Sequence, residues 1–310
     1  MRVAAIDCGT NSIRLLIADI EDGKLSEVIR TMVIVRLGEG VDKTGEFSQA
    51  ALARTFAAID SYSELITEHK PHLVRFVATS ASRDVSNRSE FVDGIVNRLG
   101  ITPDIISGDE EAALSFLGAT ADLLNISPQP TPPFLVVDIG GGSTEFVLGT
   151  TSPTAAISTN VGCVRMTERH LVSDPATAEQ IAAATADIDA AIDQACLAVP
   201  ISQAKSLIGL AGSVTTVAAI ALGLSKYDSD LIHGSHISAN DVHRVTEELL
   251  AMTRAQRAEI GPMHEGRIDV IGSGALVLDR ILSRTGLCEV VVSERDILDG
   301  IARALVSGPS

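Results

Sequence analysis

The stretch Asp138-Ile139-Gly140-Gly141-Gly142-Ser143-Thr144-Glu145 combines three glycines, two hydroxyls and two flanking carboxylates. Successive glycines let backbone approach a phosphate closely and aim several N–H groups at its oxygens, and the hydroxyls of Ser143 and Thr144 add donors. An anion seat is the chemistry this spacing suits. Asp138 at a strand end and Glu145 on the returning strand would repel a bare phosphate, so a divalent cation or ordered water between them is implied, with Mg2+ the expected ion and Asp138 and Glu145 its expected holders. A glycine-rich hairpin turn with solvated acids is the plain alternative.

The pattern occurs twice. FLVVDIGGGSTEFVLGT aligns with VAAIDCGTNSIRLLIAD at an offset of 131 residues, the separation of Asp7 and Asp138. Gly9 then meets Gly140, Ser12 meets Ser143, and Arg14 meets Glu145. Gly9, Thr10, Asn11 and Ser12 therefore form a second candidate phosphate loop. Duplication carries the weight, because D-x-G-T-N-S alone is an ordinary turn.

The elements that must hold these loops read as two α/β halves. Each loop joins a strand to a returning strand, whereas a dinucleotide fold would place a helix after its glycine loop. Ser48 to His69 is an amphipathic helix capped by Ser48, with Leu52, Phe56, Ile59 and Ile66 as its stripe. Ser89 to Leu99 is a second helix. Ser107 and Glu110 have capping-box spacing ahead of EEAALSFLGATADLL. The proline-rich SPQPTPP marks a connection, and the halves are placed at 1–122 and 123–295, with the last helix, 296–310, able to return to the first half. In the second half Asp174-Pro175 is expected to open a long Ala-rich helix.

Composition narrows the function classes. The 310 residues carry Lys+Arg 24 against Asp+Glu 40, a formal charge of −16, which opposes broad attachment to nucleic acid or anionic membrane. Aromatic residues are 3% with no Trp, so a base-stacking surface is poorly supplied. No run of about 18 apolar residues exists, and a cytoplasmic protein is expected. Cys8, Cys163, Cys196 and Cys288 are scattered, which argues for buried free thiols and against a zinc site or disulfide framework. Neither zinc-hydrolase histidine spacing nor a G-x-x-x-x-G-K-[ST] loop is present.

Taken in order, AAIDCGTNSIRLLIA, FVATSASRDVSN, IISGDEEAALSFLGA, LVVDIGGGSTEFVLG, NVGCVRMTERHL, GLAGSVTTVAA and RIDVIGSGALVLDRIL resemble the exopolyphosphatase/guanosine pentaphosphate phosphatase family. That family lies within the actin-like phosphotransfer superfamily. The resemblance implies an α/β fold of two similar actin-like (ribonuclease H-like) domains with a cleft between them. It implies Mg2+-assisted release of terminal phosphate from inorganic polyphosphate, with guanosine pentaphosphate as the competing substrate. It also gives Glu111 the role of base for the attacking water, with neighbouring Glu110 as the alternative, and carries Arg83 toward the phosphates; an ordinary loop arginine would instead pair with Asp84. Gly212 and Ser213, in a third small-residue turn, are expected against the substrate, or else Ser213 caps a helix. Arg165 and Arg267 are weaker candidates with salt bridges as their default. Longer family members carry a further helical region that extends the polyphosphate channel; this chain ends at Ser310, so the short two-domain form is expected, and a homodimer is one arrangement left open. A kinase or ATPase of the same fold and a non-catalytic alarmone or polyphosphate sensor are the competing functional readings.

Overall fold

The computed structural model describes residues 1–83 and 85–307, and the chain divides into a unit of residues 1–118 with the C-terminal helix Ile297–Ser307 and a unit of residues 119–296. In the first unit the strands are β1 (Arg2–Cys8), β2 (Ser12–Glu21), β3 (Lys24–Ile34), β4 (Leu73–Ala78) and β5 (Asp104–Ile105), ordered β3-β2-β1-β4-β5. The second has β6 (Phe134–Ile139), β7 (Thr144–Gly149), β8 (Pro153–Thr159), β9 (Ser206–Leu210), β10 (His236–Ser238) and β11 (Glu289–Val292), ordered β10-β11-β9-β6-β7-β8.

Read from the other edge, the second sheet repeats the first with one added strand. β1 pairs antiparallel with β2 and parallel with β4, and β6 pairs antiparallel with β7 and parallel with β9. The expected two-halved α/β fold is thus the observed one, each half built around a repeated strand–loop–strand.

Strand β1 shows why residues 3–6 are all apolar. Ala4, Ile6 and Cys8 pack with Leu52, Ile59 and Phe91 on one face, while Val3 and Ala5 pack with Ile297, Leu298 and Ile301 on the other. A strand covered on both faces has no solvent side on which to alternate polar residues. The helix Gln49–His69 buries Leu52, Thr55, Ile59 and Tyr62 and packs Phe56 and Ile66, partly buried, against the same core, so the expected stripe is extended by Tyr62. The Tyr62 hydroxyl donates to the Ile13 carbonyl at 2.8 Å and burial pushes its pKa up, which ties that helix to β2 just past the first loop.

Three expectations need correction. The long helix of the second unit spans Ala178–Ala198 and begins at Thr177, whose hydroxyl and Gln180 form a capping box, three residues after Asp174. The helix after β9 runs Ala211–Ala221 with Leu210 at its cap position, so Ser213 lies in its first turn and is no cap. Of the four free cysteines only Cys8 and Cys163 are buried; Cys196 and Cys288 are exposed, the first near the end of a surface helix and the second just before a strand. Among the described residues no helix is long and apolar enough to cross a membrane.

Candidate active site

Both loops close in the same way. The Gly9 amide donates to the Ser12 carbonyl at 2.9 Å, and the Gly140 amide donates to the Ser143 carbonyl at 3.0 Å. In the first loop the Asn11 carbonyl accepts from the amides of Val35 and Arg36, and that of Thr10 accepts from Gly38. In the second, the Gly140 carbonyl accepts from Cys163, and that of Gly141 accepts from Val164 and Arg165, all within 2.9–3.1 Å. Three carbonyls of each loop are therefore occupied: those of Thr10, Asn11 and Ser12 in the first, and of Gly140, Gly141 and Ser143 in the second. Among the described residues no acceptor meets the amides of Thr10, Asn11, Gly141 or Gly142. A loop with filled carbonyls and open amides is arranged for an anion.

Gly162 makes the second arrangement feasible. A Cβ there would lie 2.5 Å from the carbonyl carbon and oxygen of Gly141, closer than any real side chain sits. Its φ of −156° is ordinary extended backbone, so space and not conformation demands glycine.

Beside the loops the two copies differ in charge. Asp7 and Arg14 are cross-strand partners, and both Nε and Nη2 of Arg14 donate to Asp7 Oδ2, at 3.0 and 2.6 Å. At the matching register Asp138 faces Glu145, which faces Ser158 on β8, whose hydroxyl donates to Glu145 Oε1 at 2.7 Å. Asp138 is 8% exposed and Glu145 1%. The first copy thus carries its own cation where the second carries another carboxylate.

Glu111 lies in the first turns of the helix Gly108–Thr120 and is 7% exposed. Arg83, just after β4, donates from Nη1 to Glu111 Oε2 at 2.6 Å and more weakly to the Ile106 carbonyl at 3.4 Å. The Arg83–Asp84 pairing falls outside the described residues. Glu110 turns the other way: its half-exposed carboxylate accepts from Arg75 at 2.7 Å, and Arg75 also holds Asp104.

In the third turn Ala211 has a φ of 66°, a left-handed conformation rare for a residue with a Cβ and costing about 1–2 kcal/mol. Strain of this sort gathers at functional turns. Arg267 donates to the Gly212 carbonyl at 3.1 Å and to Thr216 Oγ1 at 3.0 Å, and a Cβ on Gly212 would strike its guanidinium. Arg267, a weaker candidate on sequence, holds this turn, and no local signal links residue 267 to residue 212. Ser213 is buried, and burial raises the pKa of the Cys163 thiol against the pull of Ser213 and Arg267. The third turn thereby lies beside the segment that supports the glycine loop.

Within each unit, then, the candidate residues are brought together. Gly9, Thr10, Asn11 and Ser12 form one loop and Arg83 with Glu111 one ion pair in the first unit. In the second, Gly140, Gly141, Gly142 and Ser143 lie between Asp138 and Glu145, and Gly212 and Ser213 open the helix after β9, the strand next to β6. Among the described residues no group of three or more His, Cys, Asp or Glu side chains forms a metal cage. The donor chemistry of Asp138 and Glu145 nonetheless fits Mg2+, which prefers oxygen and usually keeps several waters beside one or two carboxylates and substrate phosphates.

Comparison with known proteins identifies the chain's relatives. Exopolyphosphatase 2 of Mycobacterium tuberculosis is 47% identical over 317 aligned positions, covering 98% of each chain. The guanosine-5'-triphosphate,3'-diphosphate pyrophosphatase of Aeromonas salmonicida is 26% identical across 98% of this chain and 59% of its own. A solved structure of an exopolyphosphatase-like protein superimposes with a TM-score of 0.94 at 46% identity, covering 97% of this chain and 96% of that one. With the pattern of the Ppx/GppA phosphatase family matching residues 16–303, the chain belongs to that family.

Proposed function

We propose that this phosphoric anhydride hydrolase releases the terminal phosphate of inorganic polyphosphate by attack of water, with guanosine pentaphosphate as a second substrate. The observation that carries the reading is the doubled loop, each copy with three carbonyls occupied and two amides open. The exopolyphosphatase relative, similar over its whole length, supports the first substrate, and the pyrophosphatase relative supports the second.

In this reading Glu111 takes the proton of the attacking water, and Arg83 fixes its carboxylate from the side. The open amides of each loop, with the hydroxyls of Thr10 and Ser12 in the first unit and of Ser143 and Ser213 in the second, are donors for phosphate oxygens on which charge builds. Arg14 neutralises Asp7, so that carboxylate does not oppose the anion in the first loop. Asp138 and Glu145 would hold Mg2+ or its waters, and the ion when bound offsets phosphate charge.

The reading is tested by measuring phosphate release side by side from short polyphosphate, long polyphosphate and guanosine pentaphosphate, with and without Mg2+. Release from at least one of them, with polyphosphate fastest, is expected; a far faster turnover of ATP would select a kinase or ATPase instead. For the metal, Asp138→Asn and Glu145→Gln should each raise the Mg2+ concentration for half-maximal activity about ten-fold or more, the range seen when metal-site shells are disturbed. Superimposable Mg2+ titrations for parent and variants would place the ion elsewhere.

A further inference from the structure

We propose that the hydroxyl of Ser80 is an additional phosphate-oxygen donor of the first loop, and that Gly38 is the positioning residue that sets it up through Thr10. The identity of the anion rests on the hydrolase reading above; the geometry does not. Thr10 follows β1 and Ser80 follows β4, and these strands are adjacent and parallel, so both turns emerge at the same end of the sheet. Their hydroxyls are 3.0 Å apart. Two hydroxyls carry two protons and the bond between them uses one, which leaves one O–H to donate outward.

The Thr10 rotamer is fixed from behind. The Gly38 amide donates to the Thr10 carbonyl at 2.9 Å, and a Cβ on Gly38 would lie 2.3 Å from Thr10 Cγ2. The threonine methyl is therefore packed against bare backbone, and a β-branched side chain so held points its oxygen along the other branch, toward Ser80. Together with the open amides of Thr10 and Asn11, the Thr10–Ser80 pair makes a set of donors with no acceptor to serve, which selects an anion. Ser80 is half-buried and reachable. Ser82, two residues on, is fully buried with its Oγ bonded to nothing, and so provides the control on the same turn.

The experiment compares Ser80→Ala, Ser80→Thr, Ser82→Ala and Gly38→Ala with the parent, using inorganic tripolyphosphate with Mg2+, by steady-state phosphate release and by calorimetric binding. Losing one donor to a charged group predicts for Ser80→Ala a KM and dissociation constant raised about ten-fold or more. Its kcat stays within about two-fold, since the contact grips ground and transition states alike. Ser80→Thr keeps the hydroxyl and should restore affinity, Ser82→Ala should match the parent, and Gly38→Ala should share the weakened binding. An unchanged KM in Ser80→Ala, a fall confined to kcat, or a threonine variant as weak as the alanine would overturn the proposal. A parent that binds tripolyphosphate without hydrolysing it would remove the hydrolase reading and leave the binding comparison intact; a parent that binds none would remove both.

Discussion

Glu111→Gln is expected to lower phosphate release at saturating substrate by about 10²–10⁴, the usual cost of losing a general base, while leaving substrate affinity within a few-fold. The amide keeps the shape of the side chain, and its oxygen can still accept the Arg83 N–H, but it cannot take a proton from water. Glu110→Gln provides the contrast. Its carboxylate is half-exposed and pairs with Arg75, and such surface pairs contribute about 0–1 kcal/mol, so turnover should stay near the parent's. Equal rates for parent and Glu111→Gln would take the base role away from Glu111, and a collapse in Glu110→Gln alone would move it one residue back.

The second large effect comes from a residue with no polar side chain at all. Gly162→Ala puts a methyl 2.5 Å from the Gly141 carbonyl and 2.7 Å from the Gly142 nitrogen. These are backbone atoms, so no flexible tip can swing aside and the glycine loop itself must shift. Overpacking of this kind costs about 1–3 kcal/mol. That corresponds to a fall in Tm of roughly 2–4 °C per kcal/mol for a unit of this size. An ångström of misplacement in the loop should lower kcat/KM by about 10². Thermal melts and steady-state kinetics on the same preparation read both effects. Parental kinetics in a visibly destabilised variant would mean that the glycine loop does not hold the reacting phosphate.

The parts of this site that sequence makes visible are those written in short-range chemistry. Gly140 to Ser143 and Gly9 to Ser12 stand out because small residues between apolar strands leave few conformations, and their duplication shows at a fixed offset. The contrast of Arg14 with Glu145 was legible on the same alignment, but that Arg14 holds Asp7 emerges only from the cross-strand register. Gly38, Gly162 and Ser80 carry no such mark. Each matters through atoms far away in the chain: Gly38 through Thr10, Gly162 through Gly141, Ser80 through Thr10. The helix start at Thr177 was misplaced because Asp174-Pro175 resembles a helix opening, whereas Thr177 and Gln180 supply the reciprocal bonds that start one. Likewise Glu110 and Glu111 are equivalent on paper, and separate only when one, half-exposed, turns to Arg75 and the other is buried against Arg83.

The central claim is that water attacks the terminal phosphorus of a phosphoanhydride chain. Hydrolysis of tripolyphosphate in ¹⁸O-labelled water, stopped within the first turnover and read by mass spectrometry, tests it most directly. The account predicts one labelled oxygen in the released orthophosphate and none in the pyrophosphate left behind, with the signal lost in Glu111→Gln. Label appearing in the pyrophosphate would place the attack on the inner phosphorus and contradict it.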